Sequence, residues 1–245
     1  MRIDRHLVDL GLAPSRERAR AILMTGDVLV DDAPVTKAGA LVDDGATVRV
    51  RGRDHPFVSR GGVKLDGALE DLGVSVEGAI VLDVGASTGG FTDCCLRRGA
   101  AAVYAVDVGR GQMAHRIAKD PRVTLLEGIN ARSLEPEMLP GPADLAAIDV
   151  SFISIAKIFE AVAACLAPGG EILAMVKPQF EVGRGRVGKG GVVRDEADRR
   201  SAVEGVVEFA RARGFAPLGA ADARIRGPKG NRETFVLLAR PEAGG

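Results

Sequence analysis

Short apolar runs alternate with amphipathic stretches along the chain after residue 59. The runs predict strands at 79–84, 102–107, 122–127, 144–149, 170–176, 216–224 and 234–239. The stretches between them predict helices at 90–98, 111–118, 154–166 and 196–213, after an earlier helix whose inner face carries Leu65, Leu69 and Leu72. Such alternation predicts an α/β domain with a mostly parallel sheet covered on both faces. Sheets of this kind bind ligands at the carboxyl ends of their strands.

The first fifty residues carry a different pattern, which predicts a separate small α+β module. Ile3, Leu7 and Leu10 recur at helical spacing, and Gly11 is placed to end that helix. A second helix has Ser15 as its N-cap. Its inward-facing residues are Ala19, Ile22 and Leu23.

Two short strands complete this module. They are predicted at 28–30 and 48–50, and a turn is predicted at 31–34. The residues after the second strand are polar, contain Pro56 and lack periodicity, which is typical of a linker. We therefore expect the small domain at 1–52, a linker at 53–59 and the α/β domain at 60–245.

Composition limits the class of protein without indicating a partner. Lys and Arg together number 33, and so do Asp and Glu, so the net charge gives no sign of nucleic acid binding. The three cysteines, Cys94, Cys95 and Cys165, show neither metal-ligand spacing nor a disulfide framework. There is no signal-peptide core and no uncharged run near the ~18 residues of a membrane helix. These features predict a soluble, cytoplasmic protein without a bound metal ion.

A glycine-rich turn follows the first strand of the α/β domain, directly after Asp83. Glycines such as Gly85 and Gly89 let a ligand approach the backbone, and the helix that follows offers unpaired N–H groups. An ordinary tight turn gives the same pattern. A nicotinamide dinucleotide site would carry glycine where Ser87 stands, whereas the acid Asp107 after the next strand can hold a ribose in either kind of site.

The acid at the end of the first strand, followed by this turn, resembles motif I of the Rossmann-like methyltransferases. The resemblance implies S-adenosylmethionine as the cofactor, with Asp83 facing its cationic amino-acid end. The expected cofactor contacts are Asp83, Gly85, Ser87, Gly89, Gly90, Phe91, Asp107 and Asn130.

Charged residues also stand where other apolar strands begin or end. Asp149 and Lys177 each follow a predicted strand, and Glu233 precedes the last one. Lys64 lies on the helix before the sheet. Singly, each could be a charged residue that leaves the core for solvent or a salt bridge. Together, two acids and two lysines around one edge of a sheet indicate a functional site.

A wider resemblance spans nearly the full chain. It rests on residues 59–65, 83–93, 149–154, 176–181 and 230–233, with the small module in front. The chain thereby resembles the TlyA family of rRNA 2′-O-methyltransferases, also called haemolysins. The resemblance implies an S4-like RNA-binding domain followed by an FtsJ-type methyltransferase domain of Rossmann-like fold. It also implies a catalytic tetrad of Lys64, Asp149, Lys177 and Glu233, and cytidine in 16S or 23S rRNA as the substrate.

The chemistry of such a reaction gives these residue types a role. A ribose 2′-hydroxyl is a poor nucleophile and must lose its proton as it attacks a methyl group. A lysine can accept that proton when burial and a neighbouring cation favour its neutral form. We assign Lys177 as the base, with Asp149 and Glu233 orienting the lysines and the hydroxyl. The rest of the acceleration is expected from holding oxygen, methyl carbon and sulfur in line.

Clusters of basic residues predict surfaces for RNA. Two glycine-rich loops, at 184–194 and 224–232, each carry four basic residues and no acid, and Arg16 and Arg20 share one face of a helix. Solubilising loops and a solvated helix face are the alternative interpretations. Clustered Lys and Arg attract phosphate and position RNA without reading its sequence. The expected RNA contacts are Arg5, Arg16, Arg20, Arg60, Arg184, Arg186, Lys189, Arg226 and Lys229.

Two other functions remain open at this point. A non-enzymatic RNA-binding protein on a methyltransferase shell would bind the cofactor without transferring a methyl group. A haemolysin would need a long apolar or strongly amphipathic segment, which the sequence lacks. The leading hypothesis is a monomer that acts on rRNA within ribosomal subunits, without membrane or metal partners.

Overall fold

The computed structural model describes residues 1–13, 15–24, 26–43, 45–50 and 55–240, with the backbone alone for Arg184. The chain divides into two compact units, Met1–Arg60 and Gly61–Gly245. Residues 53 and 54 of the predicted linker lie outside the described residues, and the exact domain boundaries stay a prediction.

The first unit packs two helices and a small antiparallel sheet around one core. Its elements are α1 (Ile3–Asp9), α2 (Arg16–Met24), β1 (Val28–Val30), β2 (Ala33–Pro34) and β3 (Val48–Val50), with the strands in the order β2-β1-β3. Ile3, Leu7 and Leu23 have no exposed surface. The N–H of Arg18 donates to Ser15 Oγ at 3.2 Å, as expected of an N-cap.

Two details of this unit differ from the sequence prediction. The turn predicted at 31–34 contains only Asp31 and Asp32, and the next two residues form β2. Both aspartates have positive φ, 48° and 64°, as a two-residue hairpin turn requires. Leu10 is 49% exposed, since α1 ends at Asp9 and the chain leaves the core before it.

The second unit is a seven-stranded sheet in the order β6-β5-β4-β7-β8-β10-β9. The strands are β4 (Ile80–Val84), β5 (Ala102–Asp107), β6 (Val123–Glu127), β7 (Ala143–Ile148), β8 (Leu166–Val176), β9 (Ala216–Asp222) and β10 (Thr234–Ala239). The helices are α3 (Arg60–Asp71), α4 (Gly90–Arg97), α5 (His115–Ala118), α6 (Phe159–Ala164), α7 (Pro178–Glu181) and α8 (Glu196–Arg211). Strands β4 to β8 run parallel to one another, and β10 runs antiparallel to both β8 and β9. The predicted mostly parallel seven-stranded sheet is confirmed.

Several predicted element bounds are wrong for local reasons. The helix predicted at 111–118 begins only at His115, because Gly111 has a φ of +65° and the preceding chain bends over Asp107. The helix predicted at 154–166 is a 3₁₀ turn at Ile155–Lys157 followed by α6. Strand β8 starts at Leu166 rather than at residue 170, with its register against β7 shifted near its start. No helix among the described residues is both long and apolar enough to cross a membrane.

Candidate active site

The glycine turn after β4 brings the ends of three parallel strands together. Gly85 has a φ of +91°, and its N–H donates to the carbonyl of Val106 at the end of β5. A Cβ on Gly85 would lie 2.6 Å from the carbonyl oxygen of Asp149, which follows β7. This position therefore requires glycine for both its backbone conformation and the close approach of a neighbouring chain segment.

A cleft of about 570 Å³ opens at these strand ends. Four of the predicted cofactor contacts line it: Gly85, Ser87, Asp107 and Asn130. Its other walls include Gln112, Ile129, Val150 and Phe152. The remaining predicted cofactor contacts do not line it: Gly89, Gly90 and Phe91 lie at the start of α4, and Asp83 is fully buried.

Asp83 is an unusual group for the interior of a sheet. Its Oδ2 accepts a hydrogen bond from Thr92 Oγ1 at 2.6 Å, whereas its buried Oδ1 has no hydrogen-bond partner in the described structure. Burial raises the pKa of this carboxyl to about 7, against the opposing hydrogen bond from Thr92. A buried carboxylate with one unused oxygen is suited to a cationic partner.

Asp107 sits at the end of β5 with its carboxylate held in place by the backbone. Its Oδ2 accepts from the N–H of Ser87 at 2.8 Å and its Oδ1 from that of Gly109 at 2.6 Å. Each oxygen keeps a second lone pair, so the side chain can still accept hydrogen bonds from hydroxyl groups in the cleft.

The candidate tetrad forms two ion pairs on elements that are distant in sequence. Lys64 Nζ on α3 lies 2.6 Å from Glu233 Oε2, and these side chains are only 8% and 2% exposed. Lys177 Nζ lies 2.5 Å from Asp149 Oδ1 and donates to Ser151 Oγ at 2.9 Å. Removing charges from water without such partners would be costly, so each lysine is matched by one carboxylate.

The two ion pairs also act on each other. Burial raises the pKa of Asp149, and the positive charges of Lys177 and Lys64 oppose that rise. The charge of Glu233 adds to it. The structure therefore brings all four predicted residues into one electrostatic unit, with Asp149 as the member that lines the cleft.

An exposed aromatic residue at the rim of the cleft is absent from the sequence predictions. Phe152 is 89% exposed and has a φ of +66°, which is a strained conformation for a bulky residue. Its ring packs against that of Phe180 with centroids 5.3 Å apart. Strain of this kind is often stored at functional sites, and a backbone outlier cannot be read from sequence alone.

The two basic loops of this unit are joined by a buried asparagine. Asn231 Oδ1 accepts from the N–H of Val193, and its Nδ2 donates to the carbonyl of Gly191. A depression of about 330 Å³ lies where the loops meet. Its basic lining residues are Arg194, Arg199, Arg226 and Arg232, beside the acids Asp195 and Glu196.

The predicted RNA contacts within these loops differ in how they are held. Arg186 forms an ion pair with Asp198 at 3.3 Å. Lys189, Arg226 and Lys229 are exposed, and the side chain of Arg184 lies outside the described structure.

The predicted RNA contacts of the first unit all lie in ion pairs. Arg5 pairs with Asp9 at 3.8 Å, and Arg60 pairs with Asp27 at 2.9 Å. Arg16 and Arg20 both reach the same buried carboxylate, that of Asp4. They still expose 53% and 54% of their side chains, so they can contact a ligand.

Two family models match the sequence. Residues 57–240 match the FtsJ-like methyltransferase model, and residues 1–48 match the S4 domain model. The first match corresponds to the unit with the seven-stranded sheet, and the second corresponds to the small N-terminal unit.

Named relatives match nearly the full chain. The 16S/23S rRNA (cytidine-2′-O)-methyltransferase TlyA of Mycobacterium tuberculosis is 45% identical over 97% of this chain and 89% of its own length. Hemolysin A of Brachyspira hyodysenteriae is 38% identical over 95% of this chain and 97% of its own length. A solved structure described as a hemolysin from Streptococcus thermophilus is 41% identical, with a TM-score of 0.78 over 98% of this chain and 88% of that one.

Proposed function

The chain belongs to the TlyA family of FtsJ-like methyltransferases with an S4 domain, and we propose that it methylates the ribose 2′-oxygen of cytidine in ribosomal RNA. The observation that carries this proposal is the pair of lysine–carboxylate contacts, one of which includes Asp149 in the wall of the strand-end cleft. Incubation with ribosomal subunits and S-adenosylmethionine, followed by detection of methyl groups in the rRNA, tests it.

The residues around the cleft fit S-adenosylmethionine. The buried Oδ1 of Asp83 has no hydrogen-bond partner in the described structure, which suits the cationic end of that cofactor. Asp107 offers fixed acceptors for ribose hydroxyls, and Gly85 keeps the wall clear of a side chain. When bound, the cofactor supplies an electrophilic methyl group.

The tetrad residues divide the remaining work. Lys177 in its neutral amine form accepts the proton of the 2′-hydroxyl on its Nζ, and Asp149, 2.5 Å away, stabilises the ammonium that this transfer forms. Lys64 and Glu233 neutralise each other as a buried pair, and we assign to them the orientation of the reacting hydroxyl. This arrangement holds the hydroxyl in one orientation, which is a large part of what a positioned site contributes.

The aromatic rim offers a surface for the base of the target nucleotide. Enzymes that modify a nucleotide commonly take it out of its stack and hold the base against an aromatic side chain. Phe152 presents an exposed ring that contacts Phe180 and lies three residues from Asp149. It is the group best placed to stack on a base whose ribose lies at the tetrad.

The choice of cofactor gives a direct prediction. Titration calorimetry should show binding of S-adenosylmethionine and no comparable binding of NAD. Asp83→Asn should weaken S-adenosylmethionine binding by about tenfold or more, because a charged hydrogen bond is typically worth roughly 1.5–3 kcal/mol. Binding to the unmutated protein should tighten as the pH rises through about 7, where Asp83 becomes charged, and the variant should lose that pH dependence. Preference for NAD contradicts the cofactor assignment.

The free energy of unfolding of the same variant gives an independent test of the raised pKa of Asp83. The pKa of Asp83 is raised from 3.8 to about 7 on folding, so its contribution to the free energy of unfolding falls as the pH rises between these values. Between pH 5 and pH 8, Asp83→Asn should therefore gain about 3 kcal/mol of stability over the unmutated protein, since about two pH units separate pH 5 from the folded pKa and each is worth roughly 1.4 kcal/mol. Urea unfolding at both pH values measures the difference, and an unchanged difference would contradict the buried, shifted carboxyl.

A further inference from the structure

Three arginines of the N-terminal unit converge on one buried carboxylate. Asp4 on α1 has no exposed surface. Arg2 contacts both of its oxygens, with Nε 3.0 Å from Oδ1 and Nη2 3.1 Å from Oδ2. From α2, Arg16 Nη2 lies 2.9 Å and Arg20 Nε 3.5 Å from Oδ2.

The cluster differs from an ordinary surface salt bridge. Exposed pairs join one acid to one base, and both side chains remain mobile. Here one carboxylate is completely covered, whereas the three arginines each expose about half of their side chains, at 48%, 53% and 54%. The hydrogen bond from Arg2, with the other arginines, holds the pKa of Asp4 well below its usual range. The acid is thus always charged at neutral pH, and the cluster keeps an excess of two positive charges.

We propose that Asp4 is a positioning residue, which holds Arg2, Arg16 and Arg20 in place for contact with RNA phosphates. This inference rests on the proposed action on rRNA and adds to the expected RNA contacts the buried acid that orients them. Guanidinium groups bind phosphate oxygens through paired N–H donors. Fixing them in advance lowers the side-chain entropy lost when phosphate binds.

The positioning role of Asp4 and a simple count of charges predict opposite effects of removing this acid on RNA binding. If only net charge mattered, removal of an acid from this surface would strengthen RNA binding. If Asp4 positions the arginines, its removal frees three side chains that then repel each other. Asp4→Asn should therefore weaken binding although it makes the protein one unit more positive.

A matched control is available on the same helix. Asp9 is half exposed and forms an ion pair with Arg5 at 3.8 Å. Asp9→Asn causes the same change in charge as Asp4→Asn without touching the cluster. Fluorescence anisotropy of the full chain with an rRNA fragment, over a range of salt concentrations, should show about five- to tenfold weaker binding for Asp4→Asn. Asp9→Asn should bind equally well or more tightly.

Combined variants separate positioning from a general loss of structure. Arg2→Gln, Arg16→Gln and Arg20→Gln should each reduce the salt slope by about one. Adding Asp4→Asn to the Arg16→Gln, Arg20→Gln double variant should cause little further loss. If Asp4→Asn fails to fold, which thermal unfolding will show, Arg2→Gln decides the question, because this half-exposed residue has no other role in the proposal.

Two results would overturn the inference: tighter RNA binding by folded Asp4→Asn, or unchanged affinity and salt slope in Arg2→Gln. Neither result touches the proposed reaction as long as the unmutated protein methylates rRNA. Absence of methyl transfer by the unmutated protein, with normal RNA binding and the expected variant effects, would instead count against the proposed reaction alone.

Discussion

Lys177→Ala is expected to slow methyl transfer by about 100- to 10,000-fold, which is the usual contribution of a general base. The substitution removes the Nζ that lies 2.5 Å from Asp149 and 2.9 Å from Ser151. It leaves the glycine turn and Asp107 intact, so affinity for S-adenosylmethionine should stay within about threefold, as judged by calorimetry. Single-turnover kinetics with saturating cofactor measure the methyl-transfer step itself.

Controls make the assignment of Lys177 specific. Lys119→Ala removes an exposed lysine elsewhere in the same unit and should leave the rate unchanged. Asp149→Ala and Glu233→Ala should each slow the reaction, and adding either to Lys177→Ala should cause little further loss, because residues acting as one unit are not additive. The rate of the unmutated protein should rise with pH, and that rise should be absent from Lys177→Ala. Near-normal single-turnover methylation by a folded Lys177→Ala variant would transfer the role of base to Lys64.

Gly85→Ala should damage the whole site through the backbone. The φ of +91° costs an alanine roughly 1–2 kcal/mol. A Cβ there would also lie 2.6 Å from the carbonyl oxygen of Asp149, and such overpacking adds roughly 1–3 kcal/mol. We expect the free energy of unfolding to fall by about 2–5 kcal/mol, with loss of cofactor binding, because relief of the collision moves Asp149 away from Lys177.

Gly73→Ala is the matched control for backbone conformation. Gly73 has a φ of +66°, and a Cβ built on it meets no atom within 4 Å. The free energy of unfolding of this variant should fall only by the roughly 1–2 kcal/mol that a positive φ costs an alanine, and its cofactor affinity should be unchanged. Urea unfolding and calorimetry on both variants compare them. Equal losses of stability and cofactor affinity in the two variants would contradict a role for the close contact between Gly85 and the backbone of Asp149.

The sheet and the strand-end site could be predicted because buried parallel strands leave a strong sequence signal. Their residues are apolar on both faces, so Asp149 and Lys177 stand out at the point where each run stops. The positions of these two residues, Lys64 and Glu233 around one edge of the sheet indicated a site, and the family resemblance implied that they form a catalytic tetrad. The ion pair between Lys64 and Glu233, which lie 169 residues apart, could not be predicted from sequence. The roles assigned to them stay predictions until they are mutated.

Other features depended on tertiary contacts that no local pattern contains. Asp4 reads as a polar residue on an exposed helix face, yet arginines from a second helix cover it completely. Phe152 belongs to none of the predicted sites, since sequence shows neither its positive φ nor its exposure at the cleft rim. The late start of α5 was missed because helical periodicity does not register the turn imposed by Gly111. In each case the deciding interaction joins distant residues or resides in the backbone.

Analysis of the methylated nucleoside is the most direct test of the proposed activity. Purified protein would be incubated with methyl-labelled S-adenosylmethionine and with ribosomal subunits from cells that lack this protein. The rRNA would then be digested to nucleosides and analysed by mass spectrometry. Our account predicts label in 2′-O-methylcytidine, at a yield that collapses in Lys177→Ala and persists in Lys119→Ala. Label confined to base-methylated nucleosides, or its absence from rRNA while S-adenosylmethionine binds normally, would contradict it.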